Sequence, residues 1–346
     1  TCISCNSANP RMVNMRTRLE RLLQYLWYRS TGWYYLLVPF SWFYCAVASI
    51  RRAFYANGML SGSKVDCRVI VVGNLVAGGG GKTPTVIAVA RLLTGAGLRA
   101  GVLCSGYLGR ATQWPRSVTP ASPPELVGDE AVMVAERTGI PVVAGPDRVA
   151  AANILLSRHH CDVLICDDGL QHYALQRDIE INVADAARGY GNQYCLPAGP
   201  LREPLSRLDA VDAVISVDGE IPGSSTVVYR NPGDARNLSD PTMTRKLAKF
   251  AGQRVHAVAG IANPESFFHM LRSTGMEISA HAFADHHAFT SSDLNFNSET
   301  PVLMTEKDAV KCRLFAQPNW WYIPLELSFN SEFEAWLLNA AGKPEQ

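Results

Sequence analysis

Residues 68–93 read RVIVVGNLVAGGGGKTPTVIAVARLL. The apolar run Val69 to Val72 is broken by Gly73, a glycine-rich turn follows, and Lys82-Thr83 open a segment with helical spacing at Val86, Val89, Leu92 and Leu93. Strand, loop and helix in that order suit an anion. Residues without side chains let consecutive backbone N–H groups wrap it, with the positive end of the helix dipole behind them. In such a loop Lys82 reaches the β- and γ-phosphates of a nucleotide and the Thr83 hydroxyl sits on Mg²⁺. Pro84 is compatible, because the first helical turn does not use its own N–H. The usual pattern has glycine where this chain has Val76, and the glycines cluster instead at Gly78, Gly79, Gly80 and Gly81. A plain flexible turn in a βα unit is the competing reading, weakened by the strand before and the helix after.

Outward from that stretch, short apolar runs alternate with helical segments. Strands are predicted at Ala100 to Cys104, Pro141 to Ala144, Asp162 to Cys166, Ile179 to Ala184 and Ala210 to Val217, with helices at Asp129 to Thr138 and Arg148 to Ser157. The expected fold is therefore α/β: a P-loop NTPase-like, mostly parallel sheet with helices on both faces and ligands at the carboxyl ends of the strands. Asp218 to Ala248 is more polar and reads as a connection. A second βα series begins at Val255 (VHAVAGIANPESFFHMLRSTG) and continues through Ile278 to Ala282, Val302 to Met304, Glu306 to Phe315 and Trp320 to Pro324, which predicts a smaller C-terminal α/β domain.

Before the loop, the uncharged run Thr31 to Ile50 is rich in Trp, Tyr, Leu and Val and is bracketed by Arg29 and Arg51-Arg52. It is about as long as a membrane crossing requires. Pro39 in its middle, aromatics throughout and basic residues at both ends fit a helix lying in or dipping into the interface better than a simple span. Trp27, Trp33 and Trp42, whose ring N–H groups favour an interfacial position, argue against a buried helix of a soluble core. The domain boundaries expected are thus residues 1–14 outside the fold, 15–56 membrane-associated, 57–230 the P-loop domain, 231–254 a connection and 255–346 the C-terminal domain.

Composition sets few further limits. The 32 basic and 31 acidic residues balance to +1, which gives no electrostatic case for nucleic acid. Nine scattered cysteines fit reduced thiols in a cytosolic protein, and the lone Cys2-x-x-Cys5 has no second pair near it to complete a zinc site. The chain begins at Thr1, with Met12 and Met15 as alternative starts, and no signal-peptide cleavage pattern follows.

Polar residues gather where the strands end. DVLIC (162–166) runs into Asp167-Asp168-Gly169, and Mg²⁺ takes one or two carboxylates together with substrate oxygens and water. A solvated Asp-Asp turn is the plainer reading. In Gly128-Asp129-Glu130, the residues alone favour Asp129 as an N-cap. His286 and His287 are adjacent, so at most one acts on a given ligand. Arg202-Glu203 on a loop is the sort of pair that usually forms a surface salt bridge.

Together these pieces resemble a family. VVGNLVAGGGGKTP, GDEAVM, GPDR, DDGLQHYALQRDIEI, GYGNQYCLPAGPLREPLSRL and MTEKDAVK, in this order behind an aromatic segment, are similar to the tetraacyldisaccharide 4′-kinases. The resemblance runs from about Met15 to the C-terminus. It implies an ATP- and Mg²⁺-dependent kinase that phosphorylates the 4′-hydroxyl of the lipid A disaccharide precursor on the cytoplasmic face of the bacterial inner membrane, with no nucleic acid or obligate protein partner. It makes Val76 to Thr83 the ATP loop, including Ala77, and turns Asp129 from a cap into a catalytic carboxylate that acts with His286 to activate the sugar hydroxyl. It also gives Asp167 and Asp168 to Mg²⁺ or the phosphates, and Glu130, Arg202 and Glu203 to the substrate or nucleotide. One departure stands out: the family usually reads S-R-G-Y-G after the second strand, whereas this chain has Cys104-Ser105-Gly106-Tyr107-Leu108. If that arginine helps neutralise phosphate charge, the expectation is either a slower enzyme or compensation by another residue such as Arg110 or Arg148. A membrane-tethered P-loop GTPase or ATPase would share the loop but needs a guanine-reading N-K-x-D or a second-lysine loop, and Glu306-Lys307-Asp308-Ala309 is not the former. A nucleotide-binding scaffold would need neither Asp129 nor His286.

Overall fold

The computed structural model describes residues 23, 25–29, 32–78, 80–296 and 299–342. Cys2, Cys5, Met12, Met15 and Gly79 lie outside them. The described residues fall into two compact units, one from those up to Leu60 with Leu75–Ala77 and Arg188–Ala210, the other from Ser61–Asn74, Gly78–Ala187 and those from Val211 onward.

In the first unit a 3-10 turn, Gly32–Leu37, leads into helix α1 (Val38–Ala56), with Pro39 in the first helical turn. The proline therefore starts the α-helix instead of interrupting it, since its N–H would be unused there. Only Val38 and Ser41 of α1 are buried, while Trp42, Phe43, Val47 and Ile50 are exposed. Among the described residues, Gly32–Ala56 is the one helical segment long and apolar enough to cross a membrane. The Ser41 hydroxyl donates to Cys195 O at 2.6 Å and Trp27 Nε1 to Pro197 O at 3.0 Å, tying this segment to the Gly-Pro-rich loop. Leu75, Val76, Cys195 and Leu201 form a small buried cluster, and Val76 pairs antiparallel with Leu201.

The second unit holds both large sheets. Strands β1 (Arg68–Gly73), β2 (Ala100–Cys104), β3 (Arg116–Val118), β4 (Val142–Ala144), β5 (Val163–Asp167), β6 (Ile179–Asp185), β7 (Ala213–Val217) and β8 (Thr226–Val228) form an eight-stranded sheet in the order β3-β4-β2-β5-β1-β6-β7-β8. Every pairing is parallel except β3 with β4. Residues 69–73 of β1 are all buried, as a strand covered on both faces requires. Helices α2 (Lys82–Gly95), α3 (Asp129–Thr138) and α4 (Arg148–Arg158) connect these strands. Val86, Val89 and Leu93 of α2 and Val132 of α3 bury against Ile70, Val102 and Ile165. Each such side chain contributes roughly 1.5–3 kcal/mol on burial.

The second sheet has six strands in the order β11-β10-β15-β14-β12-β13. Residues 231–254 supply β9 (Asn231–Pro232), β10 (Ala235–Asn237) and β11 (Thr244–Arg245), and the last two join this sheet. Its remaining strands are β12 (Arg254–Ala259), β13 (Glu277–Ala282), β14 (Val302–Thr305) and β15 (Trp320–Ile323), with helices α5 (Pro264–Ser273) and α6 (Glu306–Cys312) between them. The sequence reading did not anticipate α7 (Ser331–Ala340), capped by Asn330, whose side chain accepts from Phe333 N. Phe333 and Leu337 pack into the core of the eight-stranded sheet.

Candidate functional site

β1 ends at Gly73, and the chain then crosses from residues 75–77 of the first unit into Gly78–Lys82 of the second. Val76 is buried and strand-paired, which accounts for a branched apolar residue where glycine is usual. The Ala77 N–H donates to Pro200 O at 2.8 Å, so the amides left to face an anion begin at Gly78. Gly81 caps α2 with φ 90°, a left-handed conformation that glycine adopts without strain. Lys82 Nζ donates to Gly78 O at 3.3 Å and lies 3.6 Å from Asp168 Oδ1. The lysine thus folds over its own loop toward the end of β5. Thr83 is buried in the first turn of α2.

Asp167 is the last residue of β5 and 4% exposed, so the first carboxylate of the pair is not solvated, while Asp168 in the turn beside it is partly exposed. Asp167 Oδ1 is buried without a hydrogen-bond partner among the described residues. Burial, with the charges of Glu130 and Asp168, pushes its carboxyl up to about 7 against the pull of Lys82 and Arg148. Arg148 is 3% exposed and donates to Gly145 O and, at 3.3 Å, to Asp167 O. It therefore brings a fixed cation to the end of β5, where the Ser105 loop lacks one. An orphaned buried carboxylate oxygen with a second aspartate next in the chain fits a hard divalent cation such as Mg²⁺, which takes few protein ligands. Among the described residues no three His, Cys, Asp or Glu side chains form a metal cage. A small cleft lined by Ser105, Gly106, Tyr107, Gly128, Glu130 and Asp167 adjoins these groups. A larger cavity of about 260 Å³, lined by Pro84, Ile87, Arg91 and Phe329, contains none of these carboxylates.

Asp129 is not the N-cap that the residues alone suggested. Gly128 occupies that position with φ 91°, and a Cβ there would lie 2.9 Å from Tyr107 O, so the sharp entry into α3 requires glycine. Asp129 becomes the first helical residue and is free for other partners. Its Oδ1 accepts from Glu130 N at 2.9 Å and its Oδ2 lies 3.0 Å from His286 Nδ1. Burial pushes the Asp129 carboxyl up, but the His286 hydrogen bond and the charges of Lys307 and Lys311 outweigh it and hold the group below the usual carboxylate range. His286 has φ 57°, and its ring meets that of Tyr107 edge-on at 5.4 Å. His287 points elsewhere, toward Asp293 at 3.4 Å.

The two helices that carry this cluster are pinned to each other. Arg137, two turns along α3 from Asp129, donates to both carboxylate oxygens of Glu306, at 3.1 and 2.8 Å, and both side chains are buried. Arg313 pairs with Glu136 in the same interface. Lys307 beside Glu306 then reaches His286, Asp285 and Glu130. Sequence reasoning quoted Lys307 inside MTEKDAVK but gave it no role. Its position next to an interface glutamate was the only local signal.

Arg202 and Glu203 belong to the first unit. The Arg202 N–H donates to Leu75 O at 2.7 Å. Glu203 is 3% exposed and lies 3.7 Å from Arg207, so its carboxylate is held inside the unit and not at its surface.

A family model described as tetraacyldisaccharide-1-P 4′-kinase matches residues 33–342. The chain is 49% identical over 318 residues to the tetraacyldisaccharide 4′-kinase of Nitrosococcus oceani, covering 92% of this chain and 93% of that protein. To its counterpart in Methylobacillus flagellatus it is 45% identical, with 90% and 93% covered. A crystal structure of the "apo" form of LpxK from Aquifex aeolicus in complex with ATP superposes with a TM-score of 0.77 at 26% identity, covering 89% of this chain and 99% of that one.

Proposed function

The chain belongs to the tetraacyldisaccharide-1-P 4′-kinase family, and we propose that it transfers the γ-phosphoryl group of ATP to the 4′-hydroxyl of tetraacyldisaccharide 1-phosphate, forming lipid IVA, with Asp129 receiving the hydroxyl proton. The observation that carries the assignment of roles is the 3.0 Å hydrogen bond between Asp129 and His286, which holds an ionised carboxylate between Gly128 and Glu130, two residues that line the cleft.

In this reading Gly78, Gly80, Gly81 and Lys82 cradle the phosphates, and Thr83, Asp167 and Asp168 hold Mg²⁺. When bound, that ion neutralises charge on the phosphate oxygens. Lys82 supports the γ-phosphoryl group as its bond to the bridging oxygen breaks, and the 4′-oxygen forms the new P–O bond while its proton passes to Asp129. Little proton transfer is needed before a loose transition state, so a carboxylate below the usual range still serves. His286 orients Asp129. Arg148 takes the place of the arginine that the Ser105 loop lacks, and Glu130, Arg202 and Glu203 are assigned to the substrate side. Neither a GTPase nor a scaffold is favoured, because neither needs the Asp129–His286 pair.

The exposed aromatic face of α1 is assigned to the cytoplasmic surface of the inner membrane, where a four-chain lipid resides. Replacing Trp42 and Phe43 with serine is expected to weaken binding to anionic phospholipid vesicles without lowering the unfolding temperature; unchanged vesicle binding contradicts that role. The activity is tested by following labelled γ-phosphate from ATP into tetraacyldisaccharide 1-phosphate in detergent micelles. Wild-type transfer that disappears in Lys82→Ala supports the reading, and a folded wild type that transfers nothing overturns it.

A further inference from the structure

Lys307 has no part in the roles assigned above, yet three side chains converge on its ammonium. It is the second residue of α6, and its side chain is 16% exposed. Nζ lies 2.9 Å from His286 Nε2, 3.1 Å from Asp285 Oδ1 and 3.5 Å from Glu130 Oε1. An ammonium has three N–H donors and no lone pair. Each of its neighbours must therefore accept. Asp285 and Glu130 do so as carboxylates, and His286 does so through the lone pair of Nε2. A neutral imidazole carries one N–H and one lone pair, so a lone pair at Nε2 places the N–H at Nδ1. That nitrogen is the one 3.0 Å from Asp129 Oδ2.

The geometry points to Lys307 as a positioning residue for the proposed transfer, acting through His286. By occupying Nε2 it fixes the ring tautomer in which Nδ1–H donates to Asp129. With the proton on Nε2 instead, the Nδ1 lone pair would face the lone pairs of Asp129, and the hydrogen bond that orients the carboxylate would be lost. The charged groups around the ring are Asp129 and Glu130 of α3, Lys307 of α6 and Asp285 of the preceding turn, with Lys311 acting through Asp129. A purely structural ion pair would need only the carboxylates. Here the shortest of the three contacts is the one to the ring nitrogen. The carboxylate oxygens of Asp129 each accept one bond, and an ionised carboxylate has about four lone-pair sites. Room remains for the sugar proton.

This inference rests on the reading of Asp129 given under Proposed function, and its test separates the two. The full chain, labelled with ¹⁵N-histidine and held in detergent micelles, is examined by long-range ¹H–¹⁵N correlation, with the His286 signal identified by its loss in His286→Asn. Wild type is expected to show the Nδ1–H tautomer. Lys307→Met is expected to shift His286 toward Nε2–H and to lower kcat by about tenfold or more, with KM for ATP changed by less than about twofold. Lys307→Arg, which still offers N–H donors, should restore part of both. A wild-type spectrum showing Nε2–H overturns the inference without any substitution at Lys307. So does a Lys307→Met protein that keeps both the wild-type tautomer and the wild-type kcat. Wild type that transfers no phosphate to lipid would remove the reading of Asp129 instead, and the tautomer would still report whether Lys307 sets the ring.

Discussion

Asp129 and Asp167 are almost equally buried, at 6% and 4% exposed, yet the fold treats them in opposite ways. Both oxygens of Asp129 have partners, and His286, Lys307 and Lys311 hold its carboxyl low against burial. Asp167 keeps an oxygen with no partner among the described residues, and burial with the charges of Glu130 and Asp168 takes it up to about 7. Burial alone cannot account for the difference, so the neighbours must. The protein completes Asp129 with its own groups, which supports the proposed role of a base oriented before substrate arrives. Asp167 is left incomplete, as suits a ligand for a cation that arrives with the nucleotide.

The largest expected effect breaks the incomplete side. Asp167→Asn should lower lipid phosphorylation by about a thousandfold or more, since a metal-held phosphoryl group accounts for several kcal/mol of transition-state stabilisation. The same substitution should also change stability. Because the folded carboxyl lies at about 7 against the ordinary 3.8, the native state holds a proton that the unfolded chain releases, and stability of the metal- and nucleotide-free protein falls as pH rises between those values. Thermal unfolding across that window should show the slope in wild type and a flatter, higher curve in Asp167→Asn. Identical slopes in the two proteins would contradict the raised carboxyl of Asp167.

A smaller effect is expected from loosening the completed side. Glu306→Ala removes the two-pronged partner of Arg137 in the α3–α6 interface but leaves it Glu326 at 3.3 Å, so the cost is about 1.5–3 kcal/mol, short of the roughly 3–5 kcal/mol of a buried charge left with no partner. Denaturant unfolding should move by that amount, and a wild-type midpoint would show that the two helices are held by packing alone. The mildest change is Asp285→Asn, which removes one of the carboxylates around Lys307. Its side chain is 36% exposed, and a pair that exposed contributes under about 1 kcal/mol, so kcat should fall only about two- to fivefold. A loss as large as that of Lys307→Met would shift the anchoring role from the ring to Asp285.

The eight-stranded sheet was legible because its strands are continuous apolar runs. Ala100–Cys104 and Asp129–Thr138 fall where the periodicity places them. At residues 210–217 the strand begins only at Ala213, because 205–210 wind into a 3-10 turn and Asp212 turns its carboxylate onto Glu180 N. Helix α7 escaped notice because its buried face is short and its partner is a sheet that ends at Val228, about 100 residues earlier in the chain. The site divides in the same way. Local chemistry marked the loop from Gly78 to Thr83 and the pair Asp167-Asp168. The partnership of Asp129 with His286, 157 residues apart, came from resemblance, because the residues alone favoured a cap. Lys307 was missed because its importance depends on a histidine in another turn.

The measurement that bears most directly on the contrast between the two carboxylates is single-turnover phosphoryl transfer from ATP, with Mg²⁺ present, to tetraacyldisaccharide 1-phosphate by Asp129→Asn, with ATP binding measured on the same protein. Binding should stay as in wild type, since the phosphate side is untouched, while the transfer rate falls by about a hundredfold or more. Transfer within a fewfold of wild type would contradict the assignment of Asp129 as the group that receives the proton.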